Sequence, residues 1–115
     1  MIGFSGGTSV WLACGVTDLR NGFDGLAGLV QTHLAKDAFS GQLLVFRDRR
    51  GERVKRLWWD GDGLCLLAKR LEVGRFVWPQ ALSGVVHLSQ AQLSMLLEGI
   101  AWRSPRRTQI PRCAA

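Results

Sequence analysis

Two apolar runs of strand length flank the turn from Asp60 to Gly63, and this segment limits the fold more than any other. The runs cover residues 53–59 and 64–71. Aspartate and glycine accept the positive φ that tight turns need, so the segment is typical of a β-hairpin. Trp58 and Trp59 lie side by side in its first strand. Adjacent strand residues point to opposite faces of a sheet, so at most one of the two indoles can face a one-sided core.

Further strand-like segments lie on either side of the hairpin. Residues 42–49 contain consecutive apolar side chains that would cover both faces of a strand. A turn at residues 50–52 joins them to the hairpin, and a turn at residues 72–74 leads into residues 75–78. Short loops of this kind connect antiparallel neighbours. We therefore predict an antiparallel meander of four strands, with residues 9–15 as a candidate fifth strand.

Each end of the chain also contains a helical pattern. After a brief extended segment at residues 85–88, Ser89 and Gln92 have the spacing of a capping box, which marks the start of one helix. The architecture expected is α+β, an antiparallel sheet of four to five strands with two helices packed mainly on one face. The other helix is indicated by apolar residues at helical spacing: Phe23, Leu26, Ala27, Val30 and Leu34.

Length and composition favour a single globular domain. A chain of 115 residues fits one domain, which we assign to residues 1–102. Residues 103–115 carry four arginines, two prolines and no acid, which is typical of a mobile basic tail. No run reaches the roughly 18 to 20 apolar residues of a membrane span, so we expect a cytoplasmic protein without membrane contact. Cys14, Cys65 and Cys113 are too scattered for a disulfide framework or a Cys-x-x-Cys metal site.

The charge of the chain is positive and unevenly distributed. Fifteen Lys and Arg against nine Asp and Glu give a net charge of +6, and twelve of the fifteen cations are arginine. Residues 1–35 have a net charge of −1, so the whole excess lies between Lys36 and Arg112. Arginine contacts phosphates and base edges with a planar fork that lysine lacks. A polyanion is therefore the expected partner of this part of the chain.

Six of these cations lie on the two strands and the turn within residues 47–56, and two more lie in the tail. The alternative to a binding role is an exposed hairpin tip, solvated and partly neutralised by Asp48 and Glu52. The arginine bias favours contact with the DNA backbone. The residues predicted to bind DNA phosphates are Arg47, Arg49, Arg50, Arg53, Lys55, Arg56, Arg106 and Arg107.

Trp58 and Trp59 form a second candidate surface. If one indole packs in the core, the other must be covered by a helix, by the tail or by another molecule. We predict that they contact a partner, because aromatic side chains next to arginines are typical of interface hot spots. The alternatives are packing of both in the protein and stacking of an indole on a nucleic-acid base.

Catalysis is not predicted. Asp60 and Asp62 stand two residues apart, a spacing that can share a divalent cation, but a tight hairpin turn explains both of them. His33 and His87 have no Cys or Ser arrangement beside them. We expect no catalytic residue, no metal site and no cofactor.

The order of these motifs resembles a known family. The stretch from Trp58 to Pro79, with Gly22–Leu26 upstream and Leu96–Ile100 downstream, is similar to the TnpB-type accessory protein of IS66-type bacterial insertion sequences, the product of their second reading frame. The resemblance covers nearly the whole chain. It implies a helper of transposition that is distinct from the transposase, the larger protein that carries the catalytic carboxylates.

Two functional hypotheses follow. In the leading one, the chain is a non-catalytic accessory protein of transposition that binds DNA through the basic hairpin and the arginine tail. In the rival, it is an adaptor that docks on the transposase of the same element, or on a second copy of itself as a homodimer, without touching DNA.

Overall fold

The computed structural model describes residues 8–78 and 84–100, which form a five-stranded sheet and two helices. The predicted α+β class is confirmed. No helix within these two ranges is long and apolar enough to cross a membrane. In chain order the elements are β1 (Val10–Val16), α1 (Phe23–His33), β2 (Leu43–Arg47), β3 (Arg53–Trp59), β4 (Leu64–Arg70), β5 (Val85–Leu88) and α2 (Gln90–Leu97).

The sheet is mixed, with the strand order β4-β3-β2-β1-β5. The strands β2, β3 and β4 form an antiparallel meander as predicted. The prediction of an antiparallel sheet throughout is wrong, because β1 runs parallel to β2. A parallel neighbour needs a long crossover connection, and α1 with its flanking loops provides it. On the other side of β1, the short strand β5 pairs antiparallel and forms the far edge.

The fourth strand predicted for the meander, residues 75–78, does not form a strand. The segment instead packs over one face of the sheet, where Phe76 is buried. Trp78 Nε1 donates a hydrogen bond to the carbonyl oxygen of Gly51 at 2.9 Å. Burial of Phe76, partial burial of Trp78 and this hydrogen bond hold the segment on the sheet without strand pairing. It therefore lies against the turn between β2 and β3.

The two helices pack on opposite faces of the sheet, so the prediction that both pack mainly on one face is wrong. On the α2 face, side chains of α2 are buried together with Leu43 and Val45 of β2. On the α1 face, side chains of α1 are buried together with Leu44 and Phe46. Alternate residues of β2 thus point into separate cores, and all four are at most 1% exposed.

The helix starts are fixed by specific contacts. Ser89 Oγ accepts the backbone N–H of Gln92 at 3.0 Å, and Gln92 Oε1 accepts the N–H of Ser89 at 2.9 Å. This confirms the predicted capping box of α2. At the start of α1, Lys55 Nζ on β3 donates to the carbonyl oxygen of Asn21 at 3.1 Å. That contact places the beginning of α1 beside the cationic end of β3.

Candidate nucleic-acid interface

A groove of about 670 Å³ lies between the turn that joins β2 to β3 and the loop that leaves β1. A neighbouring concavity of about 530 Å³ shares Leu19 and Arg53 with it and continues along β3 and β4. Together we call them the basic groove. Its charged lining consists of Asp18, Arg20, Asp48, Arg49, Arg50, Glu52, Arg53, Lys55, Lys69, Arg70 and Glu72.

The β2–β3 turn presents its arginines to solvent, and the carboxylate of Asp48 beside them is used for hydrogen bonds within the turn. Asp48 Oδ1 accepts the backbone N–H of Glu52 at 3.0 Å and that of Arg53 at 3.4 Å. Gly51 adopts a φ of +70°, a conformation that glycine accepts without strain. Arg49 and Arg50 at the corner of the turn are exposed. The turn therefore holds two guanidinium groups at the rim of the groove.

Strand register concentrates further positive charge on the α1 face. Arg53 of β3 pairs directly with Arg70 of β4, and Lys55 pairs with Ala68. Directly opposite residues of an antiparallel pair share a face and stand close together. Like charges in this position destabilise a sheet, and the ion pair of Arg70 with Glu72 at 3.2 Å relieves part of the repulsion here.

The loop after β1 contributes Arg20, which is held by Asp18. Two guanidinium nitrogens of Arg20 reach the carboxylate, Nε at 3.0 Å from Oδ1 and NH2 at 2.7 Å from Oδ2. The hydrogen bonds from Arg20 lower the pKa of Asp18 to about 2. This forked contact fixes the arginine at one wall of the groove and neutralises part of its charge.

The balance of charge along the basic groove is positive. Seven Lys or Arg residues line it against four acidic residues, a net of +3 and half of the excess of the whole chain. Of the seven, Lys69 pairs with Val54, so its side chain points toward the α2 face. Two of these cations contact a carboxylate, Arg20 that of Asp18 and Arg70 that of Glu72. Arg49, Arg50 and Arg53 are therefore exposed cations without a carboxylate in contact, as far as the described ranges reach.

The structure divides the eight residues predicted to bind DNA into three groups. Arg49, Arg50, Arg53 and Lys55 line the basic groove. Arg47 and Arg56 point to the opposite, α2 face. Arg106 and Arg107 lie outside the described residues.

The two cations on the α2 face, Arg47 and Arg56, are packed against other residues of the protein. The guanidinium of Arg47 lies 5.6 Å from the centre of the Trp78 ring, within reach of a cation–π contact. Arg56 is 3% exposed, and desolvation by burial lowers its pKa. A side chain buried to this degree offers almost no surface to a phosphate. Neither residue shares a surface with the basic groove.

Three lining cations were not among the residues predicted from the sequence, namely Arg20, Lys69 and Arg70. A signal for Arg70 was present, because the hairpin turn at residues 60–63 fixes the register that sets it opposite Arg53. Arg20 reaches the groove only because β1 lies parallel to β2, and no local pattern in the sequence indicates that pairing.

The two tryptophans predicted to contact a partner differ in their surroundings. Trp58 is 7% exposed and belongs to the core on the α2 face. Trp59 points to the α1 face and is half-buried against Phe39, with ring centres 5.5 Å apart in an edge-to-face arrangement. Phe39 itself is 48% exposed. Of the pair, Trp59 is the one that lies next to an aromatic surface open to solvent.

The turn between β3 and β4 is stabilised by hydrogen bonds to the side chain of Asp60. Asp60 Oδ1 accepts the backbone N–H groups of Asp62 and Gly63 at 3.2 and 3.0 Å. These hydrogen bonds contribute to the lowered pKa of Asp60, whereas the neighbouring carboxylate raises the pKa of Asp62. No cluster of three or more His, Cys, Asp and Glu side chains suited to a metal ion occurs in the part of the chain that the structure describes.

Comparison with known proteins finds relatives over most of the chain. A family model described as IS66 Orf2 like protein matches residues 8–107. Two similar proteins come from Sinorhizobium fredii (strain NBRC 101917 / NGR234). The first, described as uncharacterized protein y4hO, is 52% identical over 102 residues, 89% of each chain. The second, uncharacterized protein y4jC, is 37% identical over 112 residues, 97% of this chain and 96% of that protein. No solved structure gives a significant match.

Proposed function

The chain belongs to the IS66 Orf2-like family, accessory proteins of IS66 transposition, and we propose that it assists transposition by holding the phosphate backbone of DNA in the basic groove. The proposal concerns backbone contact. Phosphate contacts position a protein on DNA but read no sequence. Arg106 and Arg107 remain predicted contacts beyond the described part of the chain.

The observation that carries the proposal is the direct pairing of Arg53 with Arg70 on the α1 face. Two like charges directly opposite each other weaken a sheet. A polyanion bound across both would turn that repulsion into a shared attraction. The arrangement is therefore better suited to binding phosphate than to stabilising the sheet.

The β2–β3 turn also supports phosphate binding in the groove. Arg49 and Arg50 are exposed at the rim, and the carboxylate of Asp48, their neighbour in sequence, is occupied by backbone N–H groups. An exposed guanidinium group that has no carboxylate in contact can form two parallel hydrogen bonds with a phosphate. Bound DNA would thus meet arginines from the turn, from β3 and from β4 along one continuous groove.

The proposed role is not catalytic. The hairpin carboxylate of Asp60 is already an acceptor for two backbone N–H groups, so turn formation accounts for it. We propose that the chemistry of strand transfer belongs to the transposase and that this chain contributes binding alone.

A fluorescence-anisotropy titration with duplex DNA tests the proposal. Simultaneous replacement of Arg49, Arg50 and Arg53 by alanine should weaken binding on the order of a hundredfold at low salt, since three charge-assisted contacts are lost. The same three positions changed to lysine keep the charge and should retain most of the affinity.

A pair of single variants serves as the control for a general effect of net charge on DNA binding. Arg50→Ala and Lys36→Ala remove one positive charge each, but Lys36 lies beyond the far end of α1, 3.5 Å above the Trp11 ring. Arg50→Ala should weaken binding several times more than Lys36→Ala. Equal effects of the two variants, or unchanged affinity of the triple alanine variant, would contradict a role for the groove.

A second candidate function is docking on the transposase of the same element. The half-exposed Phe39 beside Trp59 favours it, because aromatic side chains at a surface are typical interface anchors. Phe39→Ala should then abolish co-purification with the transposase. Phe23→Ala is the matched control, since Phe23 is 49% exposed on α1 and outside this pair. Retained co-purification of the Phe39 variant would contradict docking at this surface.

A further inference from the structure

The outer edge of β4 is the longest open edge of the sheet. The strand order places β4 at one end and β5 at the other. β4 has seven residues and β5 has four. Within residues 8–78 and 84–100, only β3 pairs with β4. An open edge of this length presents a row of unpaired backbone N–H and C=O groups that another strand can pair with. The shorter edge strand β5 presents fewer such groups.

The backbone groups that face outward follow from the hairpin geometry. Asp60 N donates to the carbonyl oxygen of Gly63 at 3.1 Å, which makes them a hydrogen-bonded pair. Hydrogen-bonded and non-hydrogen-bonded pairs alternate along an antiparallel ladder. The pairs of Leu64, Leu66, Ala68 and Arg70 with β3 are then non-hydrogen-bonded ones. The N–H and C=O groups of these four residues therefore point away from the sheet.

We propose that this edge pairs antiparallel with the same edge of a second copy of the chain, centred on Leu66. In that register each outward-facing residue meets another outward-facing residue, with Leu64 opposite Ala68 of the second copy. The interface is self-complementary, as a two-fold axis requires. It joins the two five-stranded sheets into one continuous sheet.

Charge complementarity is the reason to favour a second copy as the occupant. β4 is preceded by the acidic turn with Asp60 and Asp62 and ends in Lys69 and Arg70. Antiparallel self-pairing brings the acidic end of each copy to the basic end of the other. In the register centred on Leu66, Asp62 stands opposite Arg70 of the second copy, and the two-fold axis repeats this contact.

The apolar character of the strand fits the same arrangement. Leu64, Cys65 and Leu66 are half-buried, and Leu67 is 40% exposed. Pairing at Leu66 brings these side chains next to their counterparts, where cross-strand apolar contacts stabilise a sheet. Because the two-fold axis stands perpendicular to the sheet, the α1 faces of both copies lie on the same side. Arg53, Lys55 and Arg70 of both copies would then face one direction.

Sedimentation velocity without DNA tests the proposal independently of the proposed function. The wild-type chain should sediment with twice the 12.7 kDa mass of one chain. Ala68→Pro should give the mass of one chain, because proline removes an outward N–H and leaves the β3 pairing intact. Ala68→Val keeps that N–H and should remain a dimer. Sedimentation of the wild-type chain at 12.7 kDa would overturn the proposal and leave the edge to another occupant.

Charge reversal supplies a second test that does not depend on the folding of the proline variant. Asp62→Arg should raise the dimer dissociation constant about tenfold, since both symmetric contacts become repulsive. Arg70→Asp should act similarly, and the double variant should restore the wild-type dissociation constant. A wild-type dimer that is unaffected by either single reversal would place the interface elsewhere and overturn this register.

Discussion

At the residue scale, the pair of Asp18 and Arg20 limits how positive the groove is. Two guanidinium nitrogens of Arg20 donate hydrogen bonds to the carboxylate of Asp18, at 3.0 and 2.7 Å. Asp18 Oδ1 also accepts the backbone N–H of Arg20 at 3.0 Å, so the residue shapes the loop as well. An uncharged replacement that keeps the acceptor oxygen would leave the loop in place and release the arginine.

Asp18→Asn should therefore raise DNA affinity severalfold, because one acid leaves the groove and one cation becomes free to bind phosphate. Asp37→Asn is the matched control. Asp37 Oδ1 accepts the N–H of Phe39 at 2.9 Å in a similar turn, outside the groove lining. Anisotropy titrations compare both with the wild-type chain. Weaker binding by the Asp18 variant would show that the carboxylate supports the groove and does not limit it.

The same pair makes a prediction about pH. The pKa of Asp18 is lowered to about 2 by the hydrogen bonds from Arg20. A depressed carboxyl pKa stabilises the folded state above the ordinary value of about 3.9 and loses that contribution as the pH falls toward 2. The wild-type chain should lose its stability advantage over Arg20→Ala across this window. An NMR titration of the Asp18 carboxyl carbon checks the pKa, which should return toward about 3.9 in that variant.

At the element scale, the β2–β3 turn depends on close contact with the segment after β4. Gly51 is buried, has a φ of +70°, and its carbonyl oxygen accepts a hydrogen bond from Trp78 Nε1. A Cβ added to Gly51 would stand 2.7 Å from that nitrogen. The turn that presents Arg49 and Arg50 is therefore held from the α2 face by an indole.

Gly51→Ala should destabilise the fold by about 3 kcal/mol, the sum of positive-φ strain and the clash with Trp78. Gly41→Ala isolates the first contribution, because Gly41 has a φ of +83° with open space around its Cα. That variant should lose about 1 kcal/mol. Urea denaturation measures both. Equal losses would mean that the indole contact does not constrain the turn.

At the scale of the whole molecule, the sheet is covered on both faces, and this separates the cations into two groups. Arg53 and Lys55 on β3 face α1, whereas Arg56, the residue after Lys55, faces the α2 core. A strand alternates its faces, so a run of cations in sequence cannot form a single surface. The β2–β3 turn, the matching face of β4 and Arg20 from the loop after β1 enlarge the set on the α1 side.

The elements themselves were largely predictable, because each carries a local signal. The hairpin turn at residues 60–63, the capping box at Ser89 and the apolar stripe of α1 all depend on residues close in sequence. Four of the eight predicted DNA contacts line the groove because they flank one turn. Whether those four bind DNA stays a prediction.

The arrangement of the elements was not predictable from the same signals. The spacing of apolar residues shows which side of a helix is buried, but it does not show which face of the sheet that side covers. Strand β2, apolar on both faces from Leu43 to Phe46, did indicate cover on two sides. The parallel pairing of β1 with β2 joins segments separated by α1, and such pairings leave no local pattern.

Phosphate binding in the basic groove is tested most sharply by the salt dependence of DNA binding. Plotted against log salt concentration, log K should fall with a slope of about 0.9 for each phosphate contact on duplex DNA. The triple alanine variant at Arg49, Arg50 and Arg53 should reduce that slope by between about two and three. The predicted result is a steep line for the wild-type chain and a shallower line for the variant. Two parallel lines, or no measurable binding by the wild-type chain at low salt, would contradict phosphate binding in the basic groove.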